Sequence, residues 1–220
     1  LVDLEKTMQP RKDLCADALI GGIRNEFSKG FKNKKNSAAI PLVDVLMSGF
    51  AVFSLKKQSL LQFDQQRKSE RFQKNMLHLY GVENIPCDTT MREVLDPLDP
   101  FLLRPAFKVL FSKFQRGKCL ESYKFLNQSY LIALDGTGYF SSKKVSCKHC
   151  LQKKSRKTGE ITYSHQVVGS VLIHPDQKAV IPLCPEPILK EDGSTKNDCE
   201  RNAVGRWLQK FRQDHPKLSV

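Results

Sequence analysis

The chain has 220 residues, 40% hydrophobic and 27% charged, which is enough apolar material for a buried core and excludes an intrinsically disordered polypeptide. Its formal charge of +13 favours partners of dense negative charge, nucleic acid first and an anionic membrane surface second. No apolar run approaches the roughly 20 residues needed to span a bilayer, and the start lacks the pattern of a signal peptide, so an intracellular protein without a membrane partner is expected.

Residues 1–36 open with a helical segment, where Leu14, Ala18 and Leu19 fall at helical spacing. They end in a basic connector carrying Lys29, Lys32, Lys34 and Lys35, with Gly30 among them. From Ile40 to Phe63 the apolar residues Leu42, Val43, Leu46, Met47, Phe50, Phe53, Leu60 and Leu61 recur at three and four residue intervals. That spacing predicts a buried helix pair, or one long helix eased by Gly49. Arg67, Lys68, Arg71 and Lys74 are expected along an exposed helical face. A further helix is predicted from Asp88, capped by Asp88 or Thr89 and stopped by Pro97 and Pro100. Phe101–Gln115 continues in the same style, so about the first 125 residues read as all-helical and basic.

After Ser129 the period changes. Tyr130–Leu134 is a short apolar run of strand character, and Asp135, Gly136, Thr137 and Gly138 are expected to end it, which would place the Asp135 carboxylate at a strand exit. As a bare motif, Asp-Gly-Thr-Gly also reads as a plain turn. Tyr163–His174 and Ala179–Leu183 are the second and third predicted strands, with a turn at Pro175 and Asp176. A loop should follow, then a helix from about Asp198 to His215 with Asp198 as cap and Ala203, Val204, Trp207, Leu208 and Phe211 as its apolar stripe. Leu218–Val220 reads as the start of a fourth strand. The predicted class is α+β: a helical basic region over 1–125, then strand-strand-strand-helix-strand over 126–220 with a Cys- and Lys-rich insertion at 141–161. The order of the second part is that with which an RNase H-like domain opens.

The insertion holds Cys147 and Cys150 at C-x2-C spacing, with His165 fifteen residues beyond the second. Two thiolates so spaced can grip one Zn²⁺, and a tetrahedral site needs further N or S ligands. His165 is the candidate third ligand; His149, Cys184 and Cys199 are candidates for the fourth. A pair of ordinary reduced thiols is the competing reading, since the seven cysteines are an odd number without a secretory context. The insertion also carries Lys143, Lys144, Lys148, Lys153, Lys154, Arg156 and Lys157, positioned in the chain to hold a phosphate backbone near Asp135. A solvated loop would have the same composition.

Four stretches in order, Ile85–Pro100, Leu131–Ser142, Thr162–Gln166 and Asp192–Leu208, resemble insertion-sequence transposases of the DDE type, within them the IS-four-like group. The resemblance covers most of residues 40–220. It implies an RNase H-like catalytic domain in which Asp135 is the first acid of a DDE triad binding two Mg²⁺ or Mn²⁺ ions. It further implies cleavage and strand transfer at transposon ends, partners in transposon and target DNA, a homodimeric synaptic complex, and a bacterial cytoplasmic, nucleoid-associated setting. The second Asp and the Glu of the triad are expected beyond Val220, so an incomplete and inactive fragment is expected. Asp192 in a DG turn, Asp198 as a cap and Glu200 in a first helical turn are not assigned to the triad. A non-enzymatic DNA-binding remnant and a zinc-containing nucleic-acid-binding module are the alternatives.

Overall fold

The structure, a computed structural model, describes residues 14–30, 40–190 and 198–220. The chain divides between Lys118 and Cys119 into two compact units. Among the described residues, no helix is long and apolar enough to cross a membrane.

The first unit is helical: α1 Ala16–Gly30, α2 Leu42–Ser54, α3 Leu60–Gln66, α4 Glu70–Tyr80, α5 Asp88–Leu95 and α6 Arg104–Arg116. The apolar stripe from Ile40 to Phe63 is a helix pair rather than one long helix, and the break is not at Gly49. It follows Ser54, where Lys56 takes a positive φ of 52° and the Ser59 side chain accepts the Gln62 N–H to start α3. Met47, Ala51, Phe63, Met76 and Met91 are fully buried in the resulting core. One charge enters it: Asp44 accepts from the Arg24 guanidinium at 3.0 Å and from the backbone N–H groups of Glu83 and Asn84, which together meet the cost of burying a carboxylate. At the C-terminus of α4, Gly81 adopts the left-handed conformation a helix stop requires, and the Val82 N–H reaches back to the Met76 carbonyl. Asp88 is the first residue of α5 rather than its cap; Cys87 holds the cap position, and Asp88 accepts the Thr89 N–H instead. Of the basic connector, Lys29 lies in the last turn of α1 and Gly30 ends it, while Lys32, Lys34 and Lys35 lie outside the described residues.

The second unit is an antiparallel sheet under one helix. Its strands are β1 Leu131–Ser142, β2 Leu151–Lys154, β3 Ile161–Ile173, β4 Ile181–Pro182 and β5 Glu186–Ile188, and its helix is α7 Glu200–Asp214. The long β3 is central. One of its edges pairs with β1 along nearly its whole length; the other is shared in turn by β2, β5 and β4. Ala203, Trp207 and Phe211, spaced by one turn each, bury the inner face of α7. The Trp207 indole N–H donates to the Cys184 carbonyl at 2.9 Å.

Five expectations change here. β1 does not stop at Leu134 but continues through Asp-Gly-Thr-Gly to Ser142, because the ladder with β3 pairs Asp135 with Gly169 and Gly136 with Val168. The insertion is not merely a loop, since β2 pairs with the start of β3. The stretch after Leu183 contains β5, which two prolines and a lone acid disguise. Cys199, not Asp198, is the cap of α7. Leu218–Val220 is not a strand, although its chain runs beside the start of β1: the Tyr130 N–H donates to the Ser219 carbonyl at 2.9 Å.

Candidate metal centre and the acid-bearing sheet face

Strand alternation sorts the residues of β1 and β3 onto two faces. Leu134 and Val168 pack with Ala203, Val204 and Ile188, so they mark the face that α7 covers. Gly136 belongs to the same face, and a Cβ added there would collide with the Glu200 side chain. Asp135 therefore points from the opposite face, where its side chain is exposed. Its cross-strand partner is Gly169, and the same parity along β3 places His165 on that face, four residues or about 13 Å away.

At Tyr139 the β1–β3 register shifts: Gly138 pairs with Gln166 and Phe140 with His165, leaving Tyr139 as the extra residue of a bulge. His165 is flanked by both aromatic rings, stacked on Tyr139 at 5.8 Å and 14° and tilted against Phe140 at 5.7 Å. The bulge thus fixes the imidazole in its aromatic setting. Its Nε2 lies 3.3 Å from the Cys147 Sγ and 3.3 Å from the Cys150 Sγ, and the two sulfurs are 3.7 Å apart. A short turn holds the thiols in place, with the Cys150 N–H on the Cys147 carbonyl and the Cys147 N–H on the Cys150 sulfur.

These separations can be set against a tetrahedral ion. With metal–sulfur bonds of about 2.3 Å and metal–nitrogen bonds of about 2.0–2.1 Å, the tetrahedral angle requires about 3.8 Å between sulfurs and about 3.5 Å between sulfur and nitrogen. The observed triangle meets those edges to within a few tenths of an ångström. Cys150 is buried and Cys147 exposed, so the cluster is open on one side. Burial pushes the Cys150 thiol up, and burial, followed by nearby His149, pushes the His165 imidazole down. A neutral imidazole is the form that ligates; the thiol proton is one that a bound cation would displace. Cys147, Cys150 and His165 form a group of possible metal ligands. Among the described residues no fourth His, Cys or acid joins them. Of the candidates, His149 is exposed in the turn, the Cys184 thiol faces the Pro185 carbonyl, and Cys199 caps α7.

Lys143, Lys144, Lys148, Lys153, Lys154, Arg156 and Lys157 are all exposed on the hairpin that ends β1 and forms β2. Lys143 pairs with Glu160 at 2.7 Å. The remaining acids are placed otherwise. Asp192 lies outside the described residues. Asp198 is buried, 2.7 Å from the Arg206 guanidinium, and also accepts from the Asn202 side chain and the Cys199 N–H. Burial acts to raise its pKa, but the hydrogen bonds from Arg206 and Asn202 outweigh it and hold the carboxyl below its ordinary value.

Glu186, which the sequence offered as part of a loop, is 1% exposed and takes Arg206 on one oxygen and Lys210 on both. The only prior signal was two cations at helical spacing, Arg206 and Lys210, facing no assigned acid. Tyr139 had no signal at all, because a bulge is a property of the pairing and not of one strand. No protein-family model, curated protein or solved structure matches the chain.

Proposed function

We propose that this chain carries the opening part of an RNase H-like catalytic domain of a DDE-type DNA transposase, with Asp135 as the first metal-binding acid and transposon-end and target DNA as partners. The observation that carries this reading is the place of Asp135: an exposed carboxylate midway along the longest strand pair, on the face away from α7 and shared with His165. A carboxylate on a paired strand has little positional freedom, which suits a hard cation. The run of Ser219 beside Tyr130, at the edge of the same strand, also fits the fold. Seven exposed cations of the hairpin supply phosphate affinity without base reading.

The resemblance calls for two divalent ions about 3.5–4 Å apart, which stabilise the attacking and leaving oxygens of a phosphodiester. Among the described residues Asp135 belongs to no group of three or more ligating side chains, so it offers one ligand, and the other two acids are assigned to none of these residues. No reaction step is therefore written for this chain alone. Zinc is the better fit for Cys147, Cys150 and His165: two soft thiolates and an imidazole with tetrahedral edges select Zn²⁺ over the hard ions Asp135 would take. When bound, zinc supplies a cross-link that ties the basic hairpin to β3. Copies of the chain would pair in a synaptic complex.

The test uses a complete transposase carrying these residues. Asp135→Ala should abolish Mg²⁺-dependent cleavage of transposon ends and leave binding of the same DNA within about twofold. Retained cleavage would remove Asp135 from the triad. One observation favours a second reading, a zinc-containing nucleic-acid-binding module: the Cys/His group is the one assembled ligand set among the described residues. In that case DNA binding would persist in the wild type, with no cleavage for Asp135→Ala to remove.

A further inference from the structure

Tyr139 is 67% exposed, an unusual setting for an aromatic side chain in the middle of a twelve-residue strand. The register explains how it comes to be there. Two residues of β1, Tyr139 and Phe140, stand against His165 alone, and a bulge of this kind re-aims a side chain that an unbroken ladder would direct elsewhere. The ring is not loose. One side is backed by the His165 imidazole in a near-parallel stack, and His165 is in turn held against the two thiols. Its surroundings are charged with one sign: between Ser142 and Ile161 stand seven Lys and Arg residues and a single acid, Glu160, which Lys143 already engages.

A rigid, exposed aromatic face beside a basic strip is the arrangement by which proteins hold unpaired nucleotides, with bases stacked on the ring and phosphates on the cations. The alternative, that Tyr139 only covers the Cys/His cluster, accounts for the stack but not for an aromatic left two-thirds open. Resting on the DNA-binding reading above, we infer that Tyr139 is a stacking platform for an unpaired DNA base. His165 and its thiol partners act as the support that sets the angle of the ring. The site would distinguish single-stranded from duplex DNA, because a base in a duplex is already stacked on its neighbours and cannot lie on the tyrosine.

The experiment compares binding of a fluorescein-labelled oligo-dT 12-mer and a 12-bp duplex to the zinc-loaded 220-residue chain, as wild type, Tyr139→Ala and Tyr139→Phe. Stacking lost with one aromatic ring should weaken the 12-mer by about tenfold in Tyr139→Ala. Duplex affinity should change less than twofold, the slope of log affinity against log salt should hold, and Tyr139→Phe should bind as the wild type. Zinc content of each variant, read by a chromogenic chelator, separates a lost platform from a lost metal site. Equal binding of the 12-mer by wild type and Tyr139→Ala would overturn the inference. So would a parallel loss of both DNAs, which would make Tyr139 a support of the hairpin. Failure of the wild type to bind either DNA would instead overturn the DNA-binding reading, and the platform with it.

Discussion

The two faces of the sheet in residues 119–220 treat charge in opposite ways. Beneath α7, Glu186 and Asp198 are buried and every oxygen has a cationic or N–H partner: Arg206 bridges the two acids and Lys210 closes on Glu186. On the other face Asp135 is exposed, and the cations nearest in sequence, Lys143 and Lys144, lie just past the end of β1. Buried acids must be matched within the fold, because an unpaired carboxylate out of water costs several kcal/mol. An exposed acid need not be, so its placement on a rigid strand leaves its charge for something outside the chain. The difference separates residues that hold α7 in place from residues available to a ligand, though both are Asp or Glu.

The largest expected effect concerns the open face. If the Cys/His group is a zinc site, the purified chain should bind one Zn²⁺, and Cys150→Ser should lower that affinity by more than a hundredfold, measured by competition with a chromogenic chelator. At free zinc about 100 times Kd, the wild type should gain about 2.7 kcal/mol of stability that Cys150→Ser does not. Equal zinc affinity of the two proteins would leave Cys147 and Cys150 as ordinary thiols.

Next is the covered face set directly against the open one. Glu186→Gln should cost about 3 kcal/mol in urea unfolding, the low end for breaking a buried ion pair, because Arg206 and Lys210 keep 39% and 29% of their side-chain surface in water. Asp135→Asn should stay within about 0.5 kcal/mol of the wild type, as exposed substitutions do. A large loss for Asp135→Asn together with a small one for Glu186→Gln would invert the comparison.

How much of this was legible in the sequence depends on where the information lies. The helices were, because their apolar period is local: Ala203, Trp207 and Phe211 announce the inner face of α7, and Leu46 and Met47 the core of the first unit, although Phe53 and Leu61 of the same stripe are exposed. The Cys147, Cys150 and His165 grouping was also readable, since C-x2-C constrains two ligands at once and His165 follows on a recognisable strand. Features created by pairing were not. Asp-Gly-Thr-Gly has turn composition, yet it is strand because β3 opposite it offers a complete ladder and because Gly136 makes room for Glu200. β5 was hidden for the same reason. Its proline, Pro187, the Pro185 just before it and its acid read as loop until Arg206 and Lys210 arrive from α7 to neutralise Glu186.

The smallest effect tests Asp198, which looks by sequence like a helix cap and by structure like an ion-pair partner. Its carboxyl titrates below its ordinary value of 3.8 in the folded chain, since the hydrogen bonds it accepts from Arg206, Asn202 and the Cys199 N–H outweigh the effect of burial. The unfolded chain therefore takes up the proton first as pH falls. The stabilisation is fully present above the unfolded value and is lost as pH drops through the lower folded one. Asp198→Asn keeps an oxygen for the Cys199 N–H but gives up the charge facing Arg206, so at pH 7 it should be less stable by about 1–2 kcal/mol. Urea unfolding at intervals from pH 7 to pH 2 should show that gap constant down to about pH 4 and closing below it. A gap that did not narrow in acid would mean that Asp198 contributes through its shape and its contact with Cys199, in the manner of a cap, and that Glu186 alone holds the charge of Arg206 under the helix.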